Sequence, residues 1–307
     1  MIRAIYRTDA LSFLFPSPLE LSNEAITRDL PSRRSFFSPE IFLEHWVPLR
    51  GRRRTWISDD GGRIGSLVSV KSGASPQIWH VDYLQASDEE HCYALLDFVG
   101  RAAAKRGVRK IFLNLSINSS VVDAARRAGF SSYNRYFTYR YDGRSTPSLP
   151  PPPTGYDIRS RWQGDDWGLY TLYNSAVPLG VRNAEGMTFE EWHDSLECST
   201  WFEHRAEFIV HRGDALAGWL RTSSAKGKGC FEIIFHQMEG GGLEWLVAYA
   251  LNCLRGKRPV LCIVSASQWQ LKGILENSGF DNIARFETMV RENIIRVEEP
   301  GFVPMQA

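Results

Sequence analysis

Two apolar runs flank a glycine-rich turn in "RTWISDDGGRIGSLVSV" (54–70), and "EFIVHRGDALAGWLRT" (207–222) has the same shape. Each stretch predicts a β-hairpin. A further strand follows in both places, "IWHVDYL" (78–84) and "CFEIIFH" (230–236). The spacing then becomes helical. Cys92, Leu95, Leu96, Val99, Ala102 and Ala103 share one face of a helix, and so do Leu243, Leu246, Val247, Ala250 and Leu254. Gly107 and Gly256 stand where these helices must stop. Short strands follow at "KIFLNL" (110–115) and "PVLCIV" (259–264). After each comes a short helix that ends in Gly-Phe, and then a long final strand.

The same order of elements is thus written twice. "RAGFSSYNRYFTYR" and "NSGFDNIARFETMV" pair Gly129-Phe130 with Gly279-Phe280, Arg135 with Arg285 and Thr138 with Thr288, each 150 residues apart. Both halves also open alike. "IRAIYRTDA" and "YDIRSRWQGDDWGLYTLYNSAVP" read as a strand followed by helical segments. Thr188-Phe189-Glu190-Glu191 has capping-box spacing and starts a helix to about Cys198. Between the halves lies "STPSLPPPPTG" (145–155), whose proline run is a stiff extended spacer. The expected organisation is a domain over 1–143, a linker over 144–155 and a domain over 156–307. The fold class is α/β, of the α+β kind with mixed sheets.

Charge and composition narrow the function classes. Lys plus Arg is 36 and Asp plus Glu is 35, so no bulk charge points to nucleic acid or to a membrane surface. The run Arg50, Arg52, Arg53, Arg54 is the one basic cluster and reads as a solvated loop. Cys92, Cys198, Cys230, Cys253 and Cys262 have no CxxC spacing and fall mostly in apolar runs. They read as buried free thiols of a reducing compartment. The histidines show no metal-ligand spacing, so no metal is expected. "MIRAIYRTDA" lacks an apolar signal region, and no apolar run reaches membrane-spanning length. The expected location is the cytoplasm.

Strand, helices, hairpin, long strand, helix, strand, helix ending in Gly-Phe, final strand: this order resembles the GCN5-related N-acetyltransferase (GNAT) superfamily, here as a tandem pair over nearly the whole chain. The "AGF" and "SGF" corners carry the resemblance most specifically. It implies, for each half, a mostly antiparallel sheet with one splayed parallel pair, the fourth and fifth strands, flanked by helices. It also implies acetyl-coenzyme A as cofactor. The pantetheine arm pairs with the fourth strand like an added strand. The pyrophosphate rests on backbone N–H groups where that strand turns into the next helix, at a Gln/Arg-x-x-Gly-x-Gly/Ala motif.

The halves differ at this turn. After Leu84 the first reads "QASDEEHCYALL". Ser87 with Glu90 has cap spacing, no glycine is present, and Asp88, Glu89 and Glu90 fill the first turn. Such acids suit a bare helix terminus and repel a diphosphate. At ~8 Å and a dielectric between about 20 and 80, each charge pair costs roughly 0.5–2 kcal/mol. The first half therefore reads as a degenerate cofactor site. The second reads "FEIIFHQMEGGGLEWLVAYAL", where Gln237, Gly240 and Gly242 match the motif and Leu243 opens the helix. Gly241 lies inside the match. Gln237 follows His236 directly, whereas the family motif starts several residues beyond the strand, and Glu239 adds a negative charge. Two readings fit: a phosphate cradle at Gln237, Gly240, Gly241, Gly242 and Leu243, or a shortened loop that turns the chain.

The resemblance also implies the chemistry. Many family members use a Glu early on the fourth strand as base, and Glu232 occupies a similar position. His236 shares its face at period two and becomes a second candidate. The plainer readings are a cross-strand carboxylate and a loop histidine. The family's acid, a Tyr four residues before the Gly of Gly-Phe, is replaced by Ala125 and Leu275. Its helix-opening Asn matches Asn118, while the second half has Gln268. Two functions remain in view. One is acetyl transfer from acetyl-coenzyme A to a small-molecule amine by the second half. The other is non-catalytic binding by two decayed copies.

Overall fold

The computed structural model describes residues 1–6, 23–26, 53–60, 63–72, 75–143, 148–186, 188–196, 204–236 and 240–294. The paired apolar runs become the hairpins β2 (Arg53–Asp60) with β3 (Arg63–Ser72) and β8 (His204–Arg212) with β9 (Ala215–Ala225). Edge strands β1 (Ile2–Ala4) and β7 (Tyr156–Ser160) pair on their outer sides. β4 (Ile78–Gln85) leads through α1 (Glu89–Ala104) to β5 (Lys110–Ser116), α2 (Val122–Arg127) and β6 (Ser131–Tyr141). In the second half β7 is followed by α3 (Asp166–Ala176), α4 (Leu179–Glu185) and α5 (Phe189–Leu196). After β9 come β10 (Lys228–Phe235), α6 (Gly240–Cys253), β11 (Val260–Ser265), α7 (Trp269–Asn277) and β12 (Asp281–Glu292).

The repeated glycines have the conformations their positions demand. Gly129 and Gly279 sit at φ of 84° and 83°, and Gly107 and Gly256 at 72° and 79°. Only glycine enters this region without strain, so the helix stops and the Gly-Phe corners are built alike in both halves. The apolar helix faces are buried as periodicity predicts. Cys92, Leu95, Leu96, Val99, Ala102 and Ala103 pack in one cluster with Ile111 and Leu113. Leu243, Leu246, Val247, Ala250 and Leu254 pack in another with Phe231 and Val264.

The final strands do something the repeat alone does not foretell. The sheet runs β1-β2-β3-β4-β5-β12-β6-β11-β10-β9-β8-β7. β12, from the end of the second half, lies beside β5 of the first, and β6 of the first lies beside β11 of the second. The β6–β12 ladder is symmetric about Tyr136↔Phe286, a residue facing its own repeat mate, with the rings stacked at 5.6 Å. Arg135↔Glu287 and Phe137↔Arg285 flank that pair. The first is an ion pair at 3.7 Å; in the second, a Phe ring takes the carboxylate's place under the arginine, 5.9 Å away. The exchange carries core residues with it. Met289 is fully buried in the first half's core, and its repeat mate Tyr139 is buried in the second half's. α4 crosses as well, with Ala184 packing on Phe112 and Val290, and Tyr133 Oη donating to Glu185 Oε1 at 2.9 Å.

Four local expectations are corrected. The N-cap of α1 is Asp88, whose carboxylate accepts His91 N–H at 2.8 Å; the Ser87 hydroxyl turns to Ser66 and Asp88 instead. Arg53 and Arg54 are not a solvated loop but part of β2. The Arg53 side chain is 4% exposed and pairs with Asp82 at 2.6 Å. Arg50 and Arg52 lie outside the described residues. Cys92, Cys230 and Cys262 are buried, but Cys253, at the last turn of α6, is exposed; Cys198 lies outside the described residues. The helix after β10 opens at Gly240 rather than Leu243, so the three glycines form its first turn instead of a preceding loop.

Candidate functional site

A parallel strand pair that stops pairing halfway creates a gap, and the sheet has two. β4 and β5 pair from Ile78↔Lys110 to Val81↔Leu113 and then diverge, although β4 runs on to Gln85 and β5 to Ser116. β10 and β11 pair from Gly229↔Val260 to Phe231↔Cys262 and diverge likewise. Backbone groups beyond the fork have lost their ladder partners and must find others.

In the second fork one side chain spans the gap. Gln268, at the start of α7, donates from Nε2 to Ile233 O on β10 at 2.7 Å and accepts Ser265 N–H of β11 at Oε1, 3.0 Å. Its carboxamide replaces one missing ladder rung. Above the fork, β10 ends and α6 begins. Gly240, Gly241, Gly242 and Leu243 make up the first turn of α6, which carries no acidic residue. A Cβ at Gly241 would meet nothing within 4 Å, so this position faces open space. A Cβ at Gly242 would stand 2.7 Å from the Tyr156 ring, so that glycine is required by packing. Sequence reading missed Tyr156. It is the first residue of β7, it is buried, and the Arg212 guanidinium lies 5.8 Å from its ring centroid. Gln237 lies outside the described residues.

The opposite face of β10 holds the proposed base. Glu207, Arg221 and Glu232 form one cross-strand row over β8, β9 and β10. Arg221 Nη2 pairs with Glu232 Oε2 while its guanidinium covers Trp219. Among the described residues no hydrogen bond reaches Glu232 Oε1, so one oxygen is left to accept a donor. His236 directly follows the strand. Its backbone N–H continues the ladder to Ala217 O at 3.0 Å, and its half-buried imidazole makes no hydrogen bond among the described residues. Trp192 is buried against Tyr173 and Trp219 below this face.

Glu207 plays a different part. Arg161 reaches its Oε2 at 2.6 Å, Trp219 Nε1 reaches the same oxygen at 3.2 Å, and Arg205 Nε reaches Oε1 at 2.9 Å. Burial pushes its carboxyl up, but Arg205 and Arg161 together outweigh this and hold it below the usual glutamate range. A depressed folded value stabilises the fold above the unfolded value and loses that stabilisation as pH falls through the folded one. Glu207→Gln is therefore expected to cost about 1–3 kcal/mol at pH 7. Its melting temperature should also fall less steeply than the parent's as pH drops below about 4. Parallel slopes in a pH series of melts would show that Glu207 does not carry this dependence.

The first fork is not open. Residues 23–26 lie inside it, with Glu24 N–H bonding Leu84 O at 2.8 Å and Ile26 N–H bonding Asn114 O at 2.9 Å. The start of α1 beside it is closed by the Asp88 cap, and Arg127 pairs with Glu89 and Glu90. The first fork is thus filled by its own chain beside an acidic helix start, whereas the second is bridged by the Gln268 carboxamide beside a helix start whose first turn has no acid. Ala125 and Leu275, the slots for a proton-donating Tyr, are both fully buried. Among the described residues no His, Cys, Asp or Glu cluster could hold a metal, and no helix is long and apolar enough to cross a membrane.

Solved structures share this architecture. A GCN5-related N-acetyltransferase from Sphaerobacter thermophilus superposes with a TM-score of 0.58 at 16% identity, covering 95% of each chain. A tandem GNAT protein from the clavulanic acid biosynthesis pathway gives 0.52 at 16% identity, covering 78% of this chain and 82% of its own. A functionally unknown conserved protein from Staphylococcus epidermidis gives 0.54 at 13% identity, over 78% of this chain and 94% of its own. No protein-family model and no curated protein matches the sequence. The chain has the fold of the GCN5-related N-acetyltransferases, in tandem.

Proposed function

We propose that a chain with this fold uses its second half, 156–307, as an acetyl-coenzyme A-dependent N-acetyltransferase, and its first half, 1–143, as a scaffold. The observation that supports the reading is the contrast between the forks. The β10–β11 fork opens beside a glycine-rich, acid-free helix start, while the β4–β5 fork is filled and its helix start is acidic. Helix N–H groups at Gly240, Gly241, Gly242 and Leu243, with Gln237 before them, would bind the diphosphate. When bound, acetyl-coenzyme A supplies the activated acetyl thioester. Glu232 takes a proton from the acceptor amine at Oε1, held in place by Arg221 on Oε2. His236, just past the end of the same strand, is the second group able to handle that proton. The acceptor is a small molecule carrying an amine, and the free thiols suit a cytoplasmic setting.

The buried Leu275 in the acid slot and the arginine already paired with Glu232 favour a second reading, a binding protein without turnover. Titration calorimetry with acetyl-coenzyme A separates the two. Micromolar binding at one site per chain is expected. Absence of heat at millimolar ligand would leave the non-catalytic reading standing.

A further inference from the structure

The polar groups around the first fork are answered one by one by a single short segment. The Asn23 carboxamide behaves like a peptide group: Oδ1 accepts Leu84 N–H at 3.0 Å and Nδ2 donates to Asp82 O at 3.3 Å. Glu24 N–H then takes Leu84 O. On the other wall Ala25 forms an antiparallel bridge with Leu115, Ile26 N–H takes Asn114 O, and Asn114 Nδ2 returns a bond to Ile26 O at 3.1 Å. Asn23 and Ala25 are buried, 8% and 3% exposed. Asn23 Oδ1 also accepts Ala25 N–H at 3.0 Å, which fixes the segment's own turn. The Glu24 carboxylate receives the Ser119 hydroxyl at 2.7 Å. It is close enough to the buried Cys92 thiol to add to the burial that pushes that thiol up to about 12.

We infer that residues 23–26 are an internal ligand, a built-in strand fragment that permanently occupies the first fork in the manner of an extended amide-bearing ligand. The second half has a related quartet and uses it otherwise. Asn174-Ser175-Ala176-Val177 matches Asn23-Glu24-Ala25-Ile26 at the Asn and the Ala. Yet Val177 N–H closes α3 on Tyr173 O, and Asn174 Oδ1 is taken by Arg182 at 2.9 Å. Pro178 follows directly and caps α4, so the chain turns into a helix rather than running into the fork. The first fork is thereby sealed by its own backbone, while across the second the described residues place the Gln268 carboxamide. The Glu24 carboxylate, beside Asp88, Glu89 and Glu90, further bars an anionic ligand from the first. The inference extends the assignment of the cofactor to the second half and rests on it only for the ligand arm of its test.

Residue-resolved hydrogen exchange on the full chain, with and without acetyl-coenzyme A, tests it. Without ligand, the Glu24, Ile26 and Leu84 amides should exchange as slowly as ladder amides of β4, and added acetyl-coenzyme A should leave them unchanged. Asn23→Ala should speed Leu84 exchange at least tenfold with unaltered far-ultraviolet circular dichroism. Exchange of these amides at loop rates in the parent would overturn the inference, as would ligand-induced release of Glu24 and Ile26 or two ligands bound per chain. If acetyl-coenzyme A protects no amide near Ile233 or Gly242, the cofactor assignment fails. The ligand-free arm and the Asn23 variant still decide the internal ligand.

Discussion

Gly241→Glu should weaken acetyl-coenzyme A binding by roughly 1–3 kcal/mol, about 5- to 150-fold. The side chain would project from the first turn of α6 into space where nothing lies within 4 Å of its Cβ. No steric cost to the fold follows, and a helical Gly replaced by Glu gains helix propensity. What changes is the field at the helix start: a carboxylate would stand where N–H groups and the positive dipole end favour phosphate. Melting should therefore stay within about 1 kcal/mol of the parent's stability while calorimetry reads the affinity loss. Glu232→Gln is the control. It should leave affinity intact and slow transfer by roughly 100-fold, the lower end for a lost general base. Parental affinity in Gly241→Glu would mean that the glycines serve only the turn and the contact with Tyr156.

Met289→Ala should cost about 2–5 kcal/mol and do so in the first half, although Met289 is near the end of the second. Met289 is fully buried opposite Leu113 of β5, within the cluster of Leu95, Leu96 and Val99. Removing its side chain leaves a cavity there that a close-packed core fills only in part. Exchange protection should fall first at Ile111 and Leu113. A chain whose β12 stayed with its own half would set Met289 where Tyr139 now stands, opposite Cys262. Protection lost first at Leu261 and Ile263 would therefore refute the strand exchange.

The sequence alone determined every feature whose cause is local. Apolar runs either side of a glycine-bearing turn over 54–70 and 207–222 made hairpins, and the 3/4 spacing from Cys92 to Ala103 made an amphipathic helix. Gly129 and Gly279 marked matching corners because a positive φ excludes other residues at low cost. The acidic start of α1 and the glycine-rich start of α6 were equally legible, and they divide the halves chemically. Long-range choices were decided only by the tertiary structure. β6 and β12 carry similar patterns, Thr138 and Thr288 included, so periodicity could not say which half each would join. Contacts far apart in sequence, such as Arg135 with Glu287 and Tyr136 with Phe286, belong to the exchanged arrangement. Nor could pattern show that Asn23–Ile26 fills a fork between strands more than fifty residues away, because hydrogen bonds to Leu84 and Asn114 leave no periodicity in a four-residue segment. The same limit hid Tyr156 behind Gly242 and Arg221 beside Glu232: a contact made across strands is written in neither strand by itself.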